Sequence, residues 1–350
     1  MAVSLSFGEV KKTPPPLILK HAERLINRER GGEIVKELID NVWITRGDMS
    51  IKCEHAFHYE KAERIEFERE VYYADSLREL WADKLIYYIA SDRLTAMGSV
   101  KIVQDTYETQ CVRAEYSDQR EDVHLYYDVH IYETAENMEL TGDQGYGDKT
   151  MEYARVTGNC QLLQYDSTGA ELMRIDAKMM EYYHSESRAQ ATDSVKIYKD
   201  DVTGSCRILK FFREEDKAVM FINPVVMRGL EEMRGDTIHI FFREEKISMI
   251  ELFGSASALT PAEYVEGEYN QLYGGYIMVQ LEEQKVKFID AVDNAKSVYF
   301  LAEDEKPKGA NSVSGDRLML NFTGGELETI NVITGVEGTY YPEGYRGVIK

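Results

Sequence analysis

The chain has 350 residues, of which 43% are hydrophobic and 29% charged, a composition that can bury a core and is not that of a disordered chain. Its formal net charge of -21 repels phosphate backbones at long range, so we expect no nucleic-acid partner. No run approaches the roughly 18 consecutive apolar residues of a membrane-spanning helix. The first residues lack the basic and apolar segments of an export signal, which favours the cytoplasm, although a mature exported chain would look the same.

The first predicted element follows an N-terminal arm, residues 1–16, which ends in three consecutive prolines. Residues 17–40 also have the spacing of two short amphipathic helices broken at Gly31 and Gly32, and helix propensity slightly favours that structure. We nevertheless assign this stretch to a first pair of strands, because it opens the family resemblance described below.

Two series of residues recur along the following chain with a period of about 29–30 residues, which predicts a repetitive fold. The first consists of valines at intervals of 29, 29, 29, 66 and 30 residues, with Cys160 in the long gap: Val42, Val71, Val100, Val129, Val195 and Val225. The second consists of aromatic residues at intervals of 28, 29, 30, 36, 29 and 30: Tyr59, Tyr87, Tyr116, Tyr146, Tyr182, Phe211 and Phe241. In most units of the second series a small residue lies five positions earlier: Ala82, Cys111, Thr141, Ala177 and Cys206.

Each half of a repeat has the alternation of a half-buried strand. Val100 and Ile102 would face one side and Lys101 the other, and the same pattern recurs around His130 and Lys196. Short polar connectors separate these segments, as turns require. We therefore predict an all-β fold, with at least about 60% of residues 35–335 in strands and almost no helix.

The four cysteines form no closely spaced pair of the zinc-ribbon or thioredoxin type. Two disulfides remain open in an oxidising compartment, but we favour buried single thiols because free cysteine packs as a small hydrophobe. The best metal candidate is the group Cys53, His55 and His58, although His58 would lie on the opposite strand face. We predict no metal site and no cofactor.

Two other motifs resemble functional sites without their defining residues. The glycine-rich segment at residues 142–148 lacks the Lys-Ser/Thr of a phosphate loop, so a repeat unit explains it better. The carboxylate pairs Glu214-Glu215 and Glu244-Glu245 lie in repeated turn segments. No nucleophile elbow and no histidine partnered with Ser or Cys is recognisable, so we expect that the protein is not an enzyme.

The order of these segments resembles the OstA-like (LptA-like) family. Its opening is similar to LILKHAERL, GGEIVKELIDNVWI and GDMSIKCEHAFHY, and further units resemble LTAMGSVKI, MELTGDQGYGD, YARVTGNCQL, GDTIHIFF and the closing GVEGTYYPEG. The resemblance implies an elongated slab of stacked antiparallel strands, a V-shaped β-jelly roll, over residues 17–344. This region is either continuous or two tandem units, about 17–200 and 201–344, before a tail at 345–350.

The resemblance also implies a periplasmic protein that carries lipopolysaccharide, or a related glycolipid, between the inner and outer membranes. Expected partners are other OstA-like, LptC-like and LptD-like transport components, and further copies of the chain joined head to tail. The proline-free segments 317–322 and 329–334 would supply the exposed strand edge for that contact. We expect the acyl chains in an apolar groove formed by Leu85, Tyr87, Val100, Ile102, Tyr116, Val129, Ile131, Tyr182, Val195 and Ile197.

Two alternatives remain. A carbohydrate-active parallel β-helix would show rungs of roughly 20–25 residues with asparagine or glycine stacks, which this sequence does not display. A ligand-free structural oligomerisation module would share the strand pattern. An apolar cleft wide enough for acyl chains would favour the lipid carrier, whereas a tightly filled interior would favour the structural module.

Overall fold

The regular structure of the described residues is entirely β. The computed structural model describes residues 15–117, 119–244, 246–303, 305–324 and 326–345. Strands account for 77% of the chain and helices for 0%, which confirms the all-β antiparallel prediction. Among the described residues no helix is long and apolar enough to cross a lipid bilayer.

The chain divides into two compact units, residues 1–135 and 136–350. Unit 1 contains β1 (Ile18–His21), β2 (Arg24–Arg30), β3 (Glu33–Arg46), β4 (Met49–Tyr59), β5 (Arg64–Ala74), β6 (Glu79–Tyr88), β7 (Arg93–Gln104), β8 (Tyr107–Ser117) and β9 (Asp122–Glu133). Most of the predicted arm and tail, residues 1–14 and 346–350, lies outside the described residues. The family-based division near residue 200 stays a prediction.

Unit 2 contains the remaining fifteen strands. These are β10 (Met138–Asp148), β11 (Tyr153–Tyr165), β12 (Glu171–Tyr183), β13 (Arg188–Lys199), β14 (Val202–Phe212), β15 (Lys217–Phe221), β16 (Val225–Arg228), β17 (Glu231–Arg234), β18 (Thr237–Arg243), β19 (Lys246–Pro261), β20 (Tyr269–Glu282), β21 (Lys285–Glu303), β22 (Lys306–Thr323), β23 (Glu326–Ile333) and β24 (Glu337–Pro342).

The ambiguous N-terminal stretch forms strands, which confirms the strand assignment over the helical one. β2 pairs with the first half of β3, and Arg30 lies opposite Glu33 across a two-residue turn. The turn residues Gly31 and Gly32 have φ of +60° and +82°, a left-handed conformation that glycine adopts without steric cost. The glycines that would have broken a helix therefore close a hairpin.

The valine series marks a bend in the middle of the long strands. At each bend two residues adopt positive φ, and the pairing register to a neighbouring strand shifts there in most cases, as at a β-bulge. The pairs are 40/41, 69/70, 98/99, 127/128, 158/159, 193/194, 222/223, 254/255, 293/294 and, between β23 and β24, 334/335. A buried residue follows each pair except the last, which precedes the exposed Val336: Val42, Val71, Val100, Val129, Cys160, Val195, Pro224, Ala256 and Ala295. Pro224, rather than Val225, therefore occupies the repeat position.

Four of the five small residues of the second series lie opposite these bends, as does Cys53, whereas Thr141 pairs with Gln161. Val42 pairs with Cys53, Val71 with Ala82, Val100 with Cys111, Cys160 with Ala177 and Val195 with Cys206. The residues on both strands of each pair are buried, so the inner side of a bend accepts a small side chain. All four cysteines are buried free thiols, as favoured from the sequence.

In unit 1 the bends divide the sheet into two half-sheets. Half-sheet A comprises residues 42–46, 49–53, 71–74, 79–82, 100–104, 107–111 and 129–133. Half-sheet B comprises residues 33–39, 55–59, 64–68, 84–88, 93–97, 113–117 and 122–126. One hydrophobic cluster contains residues of both, from Leu38 to Val129, so the half-sheets face each other across a shared core.

Unit 2 is built by the same rule. Buried residues pair across its consecutive strands in one ladder: Val156, Met180, Ala191, Leu209, Met220, Ile238, Leu252, Ile277, Ala291 and Leu318. Some bends interrupt a strand, so that two short strands share one partner: β15 and β16 both pair with β14, and β23 and β24 both pair with β22.

Candidate functional site

The interior of unit 1 is lined by continuous cross-strand ladders of apolar side chains. On half-sheet A one ladder runs through Ile44, Ile51, Tyr73, Leu80, Ile102, Thr109 and Ile131. On half-sheet B one ladder runs through Leu38, Ala56, Phe67, Leu85, Ala96, Ala114 and Leu125, and a second through Ile65, Tyr87, Leu94, Tyr116 and Val123. Because paired residues point to the same face, each ladder forms an apolar stripe across the half-sheet.

The structure brings seven of the ten predicted groove residues together in unit 1. Those fully buried in its core are Leu85, Tyr87, Val100 and Val129, and those packed against it are Ile102, Tyr116 and Ile131. Lys101 and His130 belong to a different ladder, joined through Gln110, and point away from this core. The inward and outward directions follow the period-two pattern of the sequence, whereas lipid contact at these residues stays a prediction.

The other three predicted groove residues lie in unit 2. Val195 is buried opposite Cys206 at a bend. Ile197 lies between Ile175 and Gly204 in its ladder. The last of the three, Tyr182, is half-buried and pairs with alanines on both neighbouring strands. Unit 2 therefore has interior positions of the same kind, in a separate compact unit.

The cavity between the half-sheets of unit 1 is small. A cavity of about 20 Å³ lies between the half-sheets, lined by Tyr73, Arg78, Leu80, Leu94, Ala96, Ile102, Ala114, Tyr116 and Val123. This volume accommodates about one water molecule. An acyl chain therefore fits only if the two half-sheets move apart.

A buried arginine connects the half-sheets at the strand ends opposite the bends, which we call the mouth of the unit. Arg46, at the end of β3 in half-sheet A, donates to the Tyr87 hydroxyl in half-sheet B. Its Nη1 also lies 3.4 Å from the Ile89 carbonyl and 3.4 Å from Asp92 Oδ1, and its Nε lies 3.1 Å from the Pro15 carbonyl. The guanidinium thus has protein acceptors on both sides of the mouth.

Unit 2 has a wider, polar crevice at its own strand ends. It measures about 180 Å³ and is lined by Lys199, Asp200, Asp201, Val202, Arg228, Lys246, Ile247 and Gln284. Arg228 donates to Asp201 Oδ2 at 2.7 Å and to the Gln284 carbonyl at 3.0 Å, so it joins two turns across the crevice. Four of its eight lining residues are exposed and the other four are half-buried.

Two of the three residues of the metal-site candidate, Cys53 and His55, contact other groups of the protein. The Cys53 thiol donates to the His55 carbonyl at 3.1 Å, and burial raises the pKa of Cys53 to about 12. The ring of His55 lies 2.8 Å from Glu37 Oε1. Within the described ranges no three His, Cys, Asp or Glu side chains come close enough to hold a metal ion. The glycine-rich segment at 142–148 lies inside β10, as a repeat unit requires.

Comparisons with known proteins add little to this geometry. No family model and no curated protein sequence matches the chain. Among solved structures, the chain is similar to LptH from Pseudomonas aeruginosa, the LptA-homologous periplasmic component of the lipopolysaccharide transport device. The match has 17% identity, covers 30% of this chain and 75% of LptH, and has a TM-score of 0.28. A likeness of this size carries no functional argument, so the proposal below rests on the chain itself.

Proposed function

We propose that this protein is a periplasmic carrier of lipopolysaccharide or a related glycolipid, whose acyl chains it shields between the two half-sheets of unit 1. The observation that carries the proposal is the continuous apolar core that both half-sheets share, from Leu38 to Val129. The order of OstA-like motifs along the sequence supports the same function. No catalytic step is part of this proposal.

The energetics favour binding through the acyl chains rather than the phosphorylated head. Burying a twelve-carbon chain at roughly 0.8 kcal/mol per CH2 group contributes up to about 10 kcal/mol, less the cost of ordering the chain. The net charge of -21 repels a phosphorylated head group at long range, so overall charge does not contribute attraction. Burial of the acyl chains in the interior can offset that repulsion.

Loading requires the mouth to open, because the cavity between the closed half-sheets measures only about 20 Å³. The bends join the half-sheets at one end through continuous backbone, whereas side-chain contacts such as that of Arg46 with Tyr87 join them at the mouth. Separation at the mouth exposes the apolar ladders to water. An inserted acyl chain covers that surface again, so lipid stabilises the open form.

The test is native mass spectrometry of the protein purified from a cell envelope, with two matched lysine variants. Ile102→Lys places a charge beside the cavity, and Gln110→Lys places the same charge on an exposed position of the neighbouring strand. We expect glycolipid masses on the wild type and on Gln110→Lys, and their loss from Ile102→Lys. Lipid-free protein in all three preparations, or equal lipid in all three, contradicts the proposal.

A second candidate function, the ligand-free structural oligomerisation module, is favoured by the tight interior. A cavity of about 20 Å³ between the half-sheets of unit 1 is too small for an acyl chain, and close packing gives such a module its rigidity. The two candidates differ in one measurable respect. Added glycolipid raises the unfolding temperature of a carrier, because the ligand binds the folded state, and leaves that of a structural module unchanged.

A further inference from the structure

Arg78 is a buried cation beside the apolar cavity of unit 1. It lies in the turn between β5 and β6, and its side chain is 7% exposed. The guanidinium carbon stands 4.2 Å from the centre of the Tyr116 ring, on the opposite half-sheet. Arg78 and Tyr116 both line the cavity, so the cation faces the space between the half-sheets at the mouth.

Two of the three guanidinium nitrogens of Arg78 form no hydrogen bond with the described part of the protein. Its Nε lies 3.4 Å from Asp75 Oδ2, an ion-pair distance without hydrogen-bond geometry. Asp75 instead accepts from the Tyr73 hydroxyl at 2.7 Å and from the backbone N–H groups of Leu77 and Arg78 at 2.8 and 2.9 Å. In the described part of the chain, Nε and Nη2 of Arg78 have no hydrogen-bond acceptor. Buried donors are normally paired, so these two nitrogens can each donate a hydrogen bond to an acceptor on a bound ligand.

Arg46 provides the internal comparison. It is also a buried arginine at the mouth, but its guanidinium donates to the Tyr87 hydroxyl and reaches the Ile89 carbonyl and Asp92. The N–H groups of Arg46 therefore already have acceptors in the protein, and their hydrogen bonds join the two half-sheets. Arg78 contacts the opposite half-sheet through a ring face and keeps two N–H donors for another partner.

We propose that Arg78 binds the acidic oxygen atoms of an amphiphile whose alkyl chain enters the interior of unit 1. This inference rests on the proposed lipid-carrying function and specifies the ligand as an alkyl oxyanion, either a phosphate or a carboxylate. The planar guanidinium fork matches such an oxyanion, and charge-assisted hydrogen bonds in a desolvated site are strong. The neighbouring apolar side chains Leu80, Ile102 and Val123 line the path of the chain.

The test is calorimetric titration of the full chain with ligands of equal alkyl length, below their micelle concentrations. The ligands are decyl phosphate, decanoate and decan-1-ol, with inorganic phosphate as the head group alone. The variants are Arg78→Gln, which removes the charge, and Arg78→Lys, which keeps it without the fork. Arg113→Gln is the matched control, because Arg113 also stacks on a tyrosine, at 5.4 Å, but its side chain is exposed.

We expect the wild type to bind decyl phosphate and decanoate at least about tenfold more tightly than decan-1-ol. Arg78→Gln should reduce that preference to about one while its affinity for decan-1-ol stays unchanged, which also shows that the interior is intact. Arg78→Lys should retain part of the preference, and Arg113→Gln all of it. Inorganic phosphate at the same concentration should neither bind nor compete.

Several outcomes overturn the inference. Equal affinities of the wild type for decyl phosphate and decan-1-ol remove the anion preference and leave the lipid-carrying proposal standing. An unchanged preference in Arg78→Gln moves the anion site to another residue. Competition by inorganic phosphate at equal concentration makes Arg78 a site for free phosphate. If no alkyl ligand binds at all, the carrier proposal fails together with the inference.

Discussion

Arg46 in β3 donates a hydrogen bond to the hydroxyl of Tyr87 in β6, 41 residues along the chain and on the facing half-sheet. The Tyr87 hydroxyl in turn donates to Asp92 Oδ1 at 2.6 Å. Both side chains are buried, so neither group can exchange its partner for bulk water without opening the mouth. The pair therefore couples the stability of unit 1 to the closed state of its interior.

The first prediction concerns this pair. Arg46→Met should lower the free energy of unfolding by about 1–3 kcal/mol, because it leaves buried acceptors unpaired, and Tyr87→Phe should lower it by about 1 kcal/mol. Urea denaturation of both single variants and the double variant gives their coupling energy. We expect a double variant that is less destabilised than the sum of the singles. Strict additivity would show that the two groups do not interact.

The second prediction concerns a bend. Gly98 has φ of +72°, and a Cβ there would lie 2.3 Å from Asp83 Oδ2 on the neighbouring strand. Gly98→Ala should therefore cost about 1–3 kcal/mol of stability in urea denaturation, through both backbone strain and this clash. Gly31→Ala is the matched control, since Gly31 has φ of +60° but nothing within 4 Å of its Cβ position. It should cost only the backbone strain of about 1 kcal/mol. Equal losses at the two positions would contradict the steric account.

The third prediction concerns the thiols at the bends. Burial raises the pKa of Cys111 and Cys160 to about 11, and of Cys53 and Cys206 to about 12. The thiolate is the reactive form, so at pH 8 the folded protein should react with iodoacetamide far more slowly than the unfolded protein. Mass spectrometry of native and urea-unfolded samples measures the difference. Rapid native labelling at Cys111 would contradict its burial at the bend.

The same pKa shifts set the sign of a pH dependence. Burial holds the folded-state pKa of each thiol above its ordinary value. The stability that the protonated thiols contribute is therefore fully present below about pH 9 and is lost as the pH rises toward 11–12. Urea denaturation at pH 8 and pH 10.5 should show a lower free energy of unfolding at pH 10.5. Replacement of Cys111 by Val, which has no thiol to titrate, should reduce that difference.

The fourth prediction concerns the last strands of unit 2. The predicted edge segment 317–322 lies in β22 and pairs on both sides, so its assignment to an edge was wrong, whereas segment 329–334 falls largely in β23. Among the described residues β23 and β24 pair with β22 alone. Val336, between the two strands, is 60% exposed, and Tyr340, in β24, is 57% exposed. An unpaired edge of this kind accepts a further strand.

Light scattering over a concentration series should therefore detect end-to-end association of the protein. Asn331→Lys in β23 combined with Thr339→Lys in β24 should weaken it, because charges at an edge oppose strand addition. Gln110→Lys, on the internal strand β8, adds a lysine away from this edge and should leave association unchanged. A mass that is concentration-independent and equal in all variants would rule out association of copies through this edge.

Much of the fold was predictable because the repeated residues occupy equivalent positions in the structure. Val42, Val71, Val100 and Val129 all follow a left-handed pair at a bend, so one packing requirement recurs at one spacing. The resemblance implied bent strands, but the positions of the bends were not predicted, because the left-handed residues vary in type, from Asp and Asn to Arg69 and Glu70. Their conformation is imposed by the sheets on either side rather than by local propensity.

The candidate site was less predictable than the fold. Alternation correctly placed Ile102 inward and Lys101 outward, since the strand period alone determines direction. Arg46 and Arg78 belong to neither repeat series, and their partners lie on distant strands, so no local pattern marks them. The filled state of the interior depends on how closely the half-sheets approach, which no single strand encodes.

The most direct test of the account is a photo-crosslinking pair at adjacent positions of β7. A benzophenone side chain at Ile102 lies beside the interior cavity, whereas one at Lys101, whose side chain is 42% exposed, lies on the outer face. With purified lipopolysaccharide, the account predicts strong capture at position 102 and background capture at position 101. Equal capture at both positions, or capture at 101 alone, would contradict binding between the half-sheets.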